Sequence, residues 1–92
     1  MEVGSKKKVL EVLSELMAQY IPTHSKEQIF DKLIVRERLG STGLGSGVAI
    51  PHCRLENLDA PMGALITLKN PIAFDSPDGK DVDILFCLVV PE

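Results

Sequence analysis

Residues 82–90 carry the sequence VDILFCLVV, in which every residue from position 84 onward is apolar. An apolar run of this length, placed after the turn-like residues 76–79, predicts a β-strand. Because apolar and polar residues do not alternate along it, both faces of the strand are expected to be covered, as at the centre of a three-layer α/β sheet. The run therefore predicts an α/β fold in which helices flank a sheet.

Two further strands are predicted upstream of this run. Residues 48–50, VAI, follow a glycine-rich stretch and end at Pro51. Residues 63–68, GALITL, are closed by residues 69–71. Both segments are short and apolar and are bounded by turn-forming residues, which is typical of strands.

Two amphipathic helices are predicted before the glycine-rich stretch. Residues 5–20 have apolar side chains at spacings of three and four, and the serine that opens the segment is a candidate N-cap. The second helix begins at a capping box formed by Ser25 and Gln28 and ends at Gly40. Its apolar residues define the buried face, and Glu37 is assigned to the other side of the cylinder. The predicted order is two helices followed by strands.

The predicted elements do not supply enough helix to cover the last strand. A strand that is buried on both faces needs a helical layer on each side, and both helices precede the sheet. We therefore expect residues 1–92 to be a single, partial domain that lacks C-terminal helices, or a chain that borrows its cover from a neighbour. Because an uncovered apolar face usually finds another chain, a homodimer or larger assembly is expected.

Composition limits the classes of function that the chain can have. Its 92 residues are 45% hydrophobic and leave room for one small domain, and a net charge of −3 with 4% aromatic residues argues against a nucleic-acid partner. No stretch has the roughly 20 apolar residues of a membrane span. Glu11 and Glu15 interrupt the apolar pattern near the N-terminus, unlike a signal peptide. The expected location is the cytoplasm, where the two cysteines stay reduced.

Residues 36–54, RERLGSTGLGSGVAIPHCR, are the segment in which chemistry is expected. A nucleotide-binding loop is excluded, because no Lys-Ser/Thr pair follows the glycines and the order is helix–loop–strand. Neither a metal site nor a cysteine nucleophile is expected from His52 and Cys53, since adjacent residues of an extended segment point to opposite faces. No metal and no other cofactor is therefore predicted.

His52 is the stronger candidate within this segment. A neutral imidazole nitrogen can attack a phosphoryl group, and the phosphoimidazole can then pass that group to another acceptor. Phosphoryl transfer needs positioning and charge stabilisation, for which Arg36, the hydroxyls of Ser41 and Thr42 and the loop backbone are suitable donors. The glycines that shape this backbone are Gly43, Gly45 and Gly47. On the residues alone, a second interpretation stays open, in which the glycines form tight turns and His52 is structural.

Residues 40–52, GSTGLGSGVAIPH, resemble the signature of the fructose/mannitol-type IIA domains of the bacterial phosphotransferase system, and within it the nitrogen-regulatory IIA proteins most. The resemblance implies that His52 accepts phosphate from the phosphocarrier protein HPr or its nitrogen-branch counterpart. It also implies that Arg36 is the active-site arginine that helps to bind the phosphate. The fold that it implies is an α/β sandwich with a mixed central sheet and helices on both faces.

The resemblance covers essentially the whole chain, from the two helices to residues 71–75 and 82–86. Members of the family are longer, with a short strand before the first helix and helices after the last strand, so both ends of this chain are expected to be trimmed, including the start at residues 1–3. A second active-site histidine of the family would fall beyond Glu92. The resemblance thus implies a phosphoryl carrier with half of its histidine pair, and hence an inefficient or inactive one.

Three functions follow from the resemblance. The first is a phosphohistidine carrier with a nitrogen- or potassium-linked regulatory role. The second is a docking module without chemistry, which binds transporters or sensor kinases. The third is a sugar-specific fructose/mannitol component that passes phosphate to a IIB domain.

Overall fold

The computed structural model describes residues 4–92, which form two helices followed by five strands. The elements are α1 (Lys6–Ala18), α2 (Lys26–Leu39), β1 (Gly43–Gly45), β2 (Val48–Ala49), β3 (His52–Leu55), β4 (Met62–Ile72) and β5 (Val82–Pro91). The predicted order of helices and strands is confirmed. The expectation of a trimmed start concerns residues 1–3, which lie outside the described residues.

Both predicted helix starts are confirmed by their caps. The Ser5 hydroxyl accepts a hydrogen bond from the Lys8 backbone N–H at 3.1 Å. Ser25 and Gln28 form the predicted capping box, in which each side chain accepts from the other residue's backbone N–H at 3.1 and 2.8 Å. A polar N-cap of this kind stabilises a helix by about 1 kcal/mol. No helix within residues 4–92 is both long and apolar enough to cross a membrane.

The sheet is built around β5, and it is mixed, as the resemblance implied. β4 pairs with one edge of β5 in antiparallel orientation, while β2 and β3 pair with the other edge in parallel orientation. The register is the same on both sides of Pro51, because Val48 lies opposite Ile84 and His52 lies opposite Leu88. β2 and β3 are therefore one strand that is interrupted where Pro51 has no N–H to donate.

β4 is longer than residues 63–68. It extends through residues 69–71 to Ile72, with an irregular register against β5 between Thr67 and Ile72. Only one of its edges is paired in the described sheet, so Pro71 lies in an edge strand, where the missing N–H removes no ladder bond from a second neighbour. This explains why a proline does not end the strand.

The helices pack against one face of the sheet, and a single core forms between them. The largest fully buried side chains are Val9, Leu10, Leu13, Met17, Ile21, Ile29, Leu33, Leu55, Phe74, Val82, Leu85 and Val89. Along β5, Leu85, Cys87 and Val89 are buried, whereas Ile84 and Phe86 are 40% and 38% exposed. Residues 4–92 thus supply a helical layer on one face of the sheet only, and the expected cover on the second face is not among them.

Candidate functional site

The glycine-rich segment is a β-hairpin, in which β1 and β2 pair in antiparallel orientation. Its turn has three successive residues with positive φ, at 93° for Gly45, 56° for Ser46 and 82° for Gly47. Glycine adopts positive φ at little cost, so Ser46 is the one residue of this turn for which the conformation is unfavourable. The prediction that the segment is a loop is therefore wrong for Gly43–Gly45, which pairs as a strand.

An exposed carboxylate holds the tip of this hairpin. Asp78 Oδ2 accepts the Ser46 backbone N–H at 2.8 Å, and Asp78 Oδ1 accepts the Lys80 backbone N–H at 3.0 Å. These two bonds, that from Ser46 first, favour the charged form and lower the pKa of Asp78 below its ordinary value. The tip is thus tied to the turn between β4 and β5.

A buried carboxylate holds the base of the hairpin. Glu37 accepts hydrogen bonds from the Thr42 backbone N–H at 3.1 and 3.2 Å and from the Thr42 hydroxyl. Its Oε2 atom also lies 2.7 Å from the Nζ atom of Lys6, which is at the start of α1. The Glu37 side chain is only 3% exposed, so its assignment to the solvated side of α2 is wrong. A carboxylate can be buried here because it is both paired and hydrogen-bonded.

The segment after β4 joins the same base. The Ser41 hydroxyl donates to the Phe74 carbonyl at 2.7 Å and accepts the Gly43 backbone N–H at 3.0 Å. Lys6 reaches the same Phe74 carbonyl at 3.5 Å and lies 4.6 Å from the centre of the Phe74 ring. The sequence predicted that the hydroxyls of Ser41 and Thr42 donate to a phosphate. In the structure, both hydroxyls instead hold the hairpin in place.

His52 follows β2 and Pro51 and is itself the first residue of β3, where it is half-buried. Its Nδ1 atom lies 2.9 Å from the Ile50 carbonyl oxygen. Because a carbonyl can only accept, Nδ1 carries the proton in this contact, and the neutral ring has its lone pair on Nε2. The Ile50 backbone N–H in turn donates to the Thr42 carbonyl at 3.0 Å. The hairpin thus fixes the residue that orients the imidazole.

Arg36 lies in the last turn of α2, at the base of the hairpin. Its Nη1 atom donates to the Gly40 carbonyl at 2.8 Å, which satisfies a carbonyl beyond the helix end and places positive charge where the helix dipole favours it. A guanidinium has five N–H donors, so four remain for other acceptors. Within residues 4–92, no hydrogen bond joins Arg36 to His52.

The two cysteines belong to the core. Cys53 follows His52 on β3 but is buried, as is Cys87 on the neighbouring β5, and both are free. Burial raises the pKa of Cys53 to about 11, against a smaller lowering by Lys32. Burial, and then the neighbouring Cys53, raise the pKa of Cys87 to about 12. Both are neutral thiols near pH 7, a form that packs as a small hydrophobe and is a poor nucleophile.

Comparison with known proteins assigns the chain to a family. Residues 1–92 match the family described as "Phosphoenolpyruvate-dependent sugar phosphotransferase system, EIIA 2". The chain belongs to this family, which confirms the resemblance of residues 40–52.

Within the family, the chain is similar to nitrogen regulatory proteins. It is 51% identical over 89 residues to the nitrogen regulatory protein of Pseudomonas aeruginosa, which covers 97% of this chain and 58% of that protein. It matches the crystal structure of nitrogen regulatory protein IIA-Ntr from Neisseria meningitidis with a TM-score of 0.95 and 48% identity, over 100% of this chain and 62% of that one. The fold is therefore that of IIA-Ntr, and the chain spans less than two thirds of the length of these relatives.

A sugar-specific relative is more distant. The 2-O-alpha-mannosyl-D-glycerate-specific EIIABC component of Escherichia coli is 31% identical over 88 residues, which cover 95% of this chain and 13% of that protein. The chain thus resembles the nitrogen regulatory proteins more than it resembles this transporter component.

Proposed function

We propose that the chain is a phosphohistidine carrier of the phosphotransferase system, in which His52 accepts a phosphoryl group from HPr or a nitrogen-branch HPr-like protein. The observation that carries the proposal is the bond from His52 Nδ1–H to the Ile50 carbonyl at 2.9 Å. It leaves the Nε2 lone pair of a half-exposed ring without a hydrogen bond to residues 4–92. A free, neutral ring nitrogen is the nucleophile that this transfer requires.

In the proposed transfer, one phosphorus–nitrogen bond forms while another breaks. The Nε2 lone pair of His52 attacks phosphorus, and the bond from phosphorus to the donor's imidazole nitrogen breaks, with its electron pair left on the donor. His52 keeps its proton on Nδ1. The Ile50 carbonyl that accepts this proton's hydrogen bond stabilises the positive charge that the imidazole gains as the new bond forms.

The hairpin and Arg36 are proposed to support the phosphoryl group. Arg36 would bind phosphoryl oxygens with the donors that Gly40 does not use, since guanidinium matches phosphate in charge and geometry. Gly43, Gly45 and Gly47 give the hairpin its shape, and Ser41 and Thr42 fix its base. His52 is half-exposed and lies at an open surface. A partner protein can reach such a residue directly, which it could not do in an enclosed cavity.

The role proposed for the carrier is regulatory, because its relatives at 51% and 48% identity are nitrogen regulatory proteins. Its targets would be transporters or sensor kinases, and its proposed location is the cytoplasm. The 31% identity to a sugar-specific component supports the sugar-transport alternative less well.

A docking function without chemistry is the second candidate, and the exposed sheet face favours it. Leu65 on β4 is 65% exposed and lies beside Ile84 and Phe86 of β5. An apolar face of this kind can bind a partner protein or a second copy of the chain.

We propose a homo-oligomer that forms through this face. Sedimentation of the purified chain tests this proposal, and a monomer at high concentration would contradict it.

The carrier function is tested by incubating the chain with phosphoenolpyruvate, enzyme I and an HPr-type protein. We expect one acid-labile phosphoryl group, which is lost in His52→Ala. The matched control is His24→Ala, because the chain has only these two histidines. Phosphate that persists in His52→Ala would refute the assignment of the acceptor, and a His52→Ala variant that keeps every partner and cellular effect would favour the docking function.

A further inference from the structure

Glu37 is the one carboxylate of the described chain that is buried, and nothing in the proposed transfer uses it directly. Its partners are the Lys6 ammonium at 2.7 Å, the Thr42 backbone N–H at 3.1 and 3.2 Å and the Thr42 hydroxyl. Lys6 is 23% exposed at its side chain and also lies 3.5 Å from the exposed Asp75. A buried ion pair adds little net stability, and in some proteins it instead fixes one arrangement of the chain.

Two hydrogen bonds link Thr42, which Glu37 holds, to the imidazole of His52. Glu37 holds the N–H of Thr42, and the carbonyl of Thr42 accepts the N–H of Ile50 at 3.0 Å. The carbonyl of Ile50 then accepts the Nδ1–H of His52 at 2.9 Å. Each residue on this path is bonded on both sides, so a shift of Thr42 moves the carbonyl that decides which ring nitrogen carries the proton.

We propose that Glu37, paired with Lys6, is a positioning residue that sets the tautomer and orientation of His52 through Thr42 and Ile50. It touches neither the imidazole nor the phosphoryl group. This inference rests on the proposed function only for its effect on transfer, because the tautomer of His52 can be measured without any phosphoryl donor.

The experiment is ¹⁵N NMR of the imidazole nitrogens in the 92-residue chain, at a pH where both histidines are neutral. In the unmodified protein, we expect the proton of His52 on Nδ1 and the lone pair on Nε2. In Glu37→Gln, the Lys6 ammonium loses the closer of its two counter-charges, the Thr42 anchor weakens and the two tautomers of His52 mix. The tautomers of His24, which lies before α2 and bonds to Thr23, stay unchanged.

Phosphoryl transfer provides the second measurement. A misplaced nucleophile slows transfer by about tenfold to a hundredfold, so the initial rate for Glu37→Gln should fall in this range and its pH profile should change. The matched control is Asp31→Asn, which makes the same acid-to-amide change at an exposed position of α2 and should alter neither measurement.

A second pair of variants covers the case in which Glu37→Gln does not fold. Thr42→Val removes only the hydroxyl that binds Glu37, and it should also mix the His52 tautomers, whereas Thr42→Ser keeps the hydroxyl and restores the Nδ1–H form. A folded Glu37→Gln or Thr42→Val with the unmodified tautomer and rate would overturn the inference. A His52→Ala variant that takes up as much phosphoryl group as the unmodified protein would refute the proposed function, and the tautomer measurement would still decide the role of Glu37.

Discussion

The two ends of the glycine hairpin are held by the same kind of bond in two different environments. At the base, the carboxylate of Glu37 accepts the N–H of Thr42 inside the protein and is paired with Lys6. At the tip, the carboxylate of Asp78 accepts the N–H of Ser46 in full contact with solvent. The base therefore depends on every one of its partners, because a buried charge without them is costly, whereas water can replace any partner at the tip.

The largest effect is expected when the base loses its cation. Lys6→Met leaves the buried Glu37 carboxylate without its counter-charge, which destabilises a protein by about 3–5 kcal/mol. We expect the low end of this range, since Lys6 is partly exposed. Urea unfolding of Lys6→Met against the matched control Lys7→Met, an exposed position in the same turn of α1, measures the difference. Equal urea midpoints for the two variants would contradict the conclusion that the base depends on Lys6.

An intermediate effect is expected from filling the space beside the base. A side chain at Gly43 would press on the hydroxyl and the Cα atom of the buried Ser76, the latter at 3.1 Å. Such overpacking costs about 1–3 kcal/mol, so Gly43→Ala should lower Tm by several degrees. Gly40→Ala is the matched control, because nothing lies within 4 Å of the added methyl group. A Gly43→Ala variant as stable as Gly40→Ala would show that the base tolerates movement.

The smallest effect is expected at the tip, and it depends on pH. The pKa of Asp78 is lowered in the folded state, so its contribution to stability is full above its ordinary pKa of 3.8 and is lost as the pH falls through the lower, folded value. Asp78→Asn should therefore be slightly less stable than the unmodified protein at pH 7, and this difference should disappear as the pH falls below about 4. Acid unfolding curves measure this, with Asp81→Asn, an exposed position between this turn and β5, as the control. A large loss at pH 7 in Asp78→Asn would mean that the tip is as dependent on its carboxylate as the base.

How much the sequence could predict depends on how far apart the interacting residues lie in the chain. The helices and their caps were predictable, because Ser25 and Gln28 interact across three residues of chain. The mixed sheet came from the resemblance of residues 40–52. His52 was singled out from the residues themselves, and its role as phosphoryl acceptor, which the resemblance implies, stays a prediction. The tautomer of His52 was not predictable, since it depends on how Ile50 is held.

The burial of Glu37 was not predicted from the sequence. This residue follows Ile29 and Leu33 at steps of four, and so shares the buried face of α2, which is a signal that the sequence does contain. A charge on that face is normally excluded from a core. The charge is tolerated because Thr42 and Lys6 both bind the carboxylate. The pairing with Lys6, which the packing of α1 brings near, has no local signature in the sequence.

The central place of β5 has a consequence for how the chain folds during its synthesis. β2, β3 and β4 all find their partner in Val82–Pro91, which leaves the ribosome after every one of them. The two helices can associate as soon as both have emerged, but the strands between residues 48 and 72 then wait with open edges for a partner that does not yet exist. Such long-range pairing is slow, and unpaired edges are prone to aggregate. Until Val82–Pro91 has emerged and paired, the strand edges of residues 48–72 are therefore exposed to aggregation.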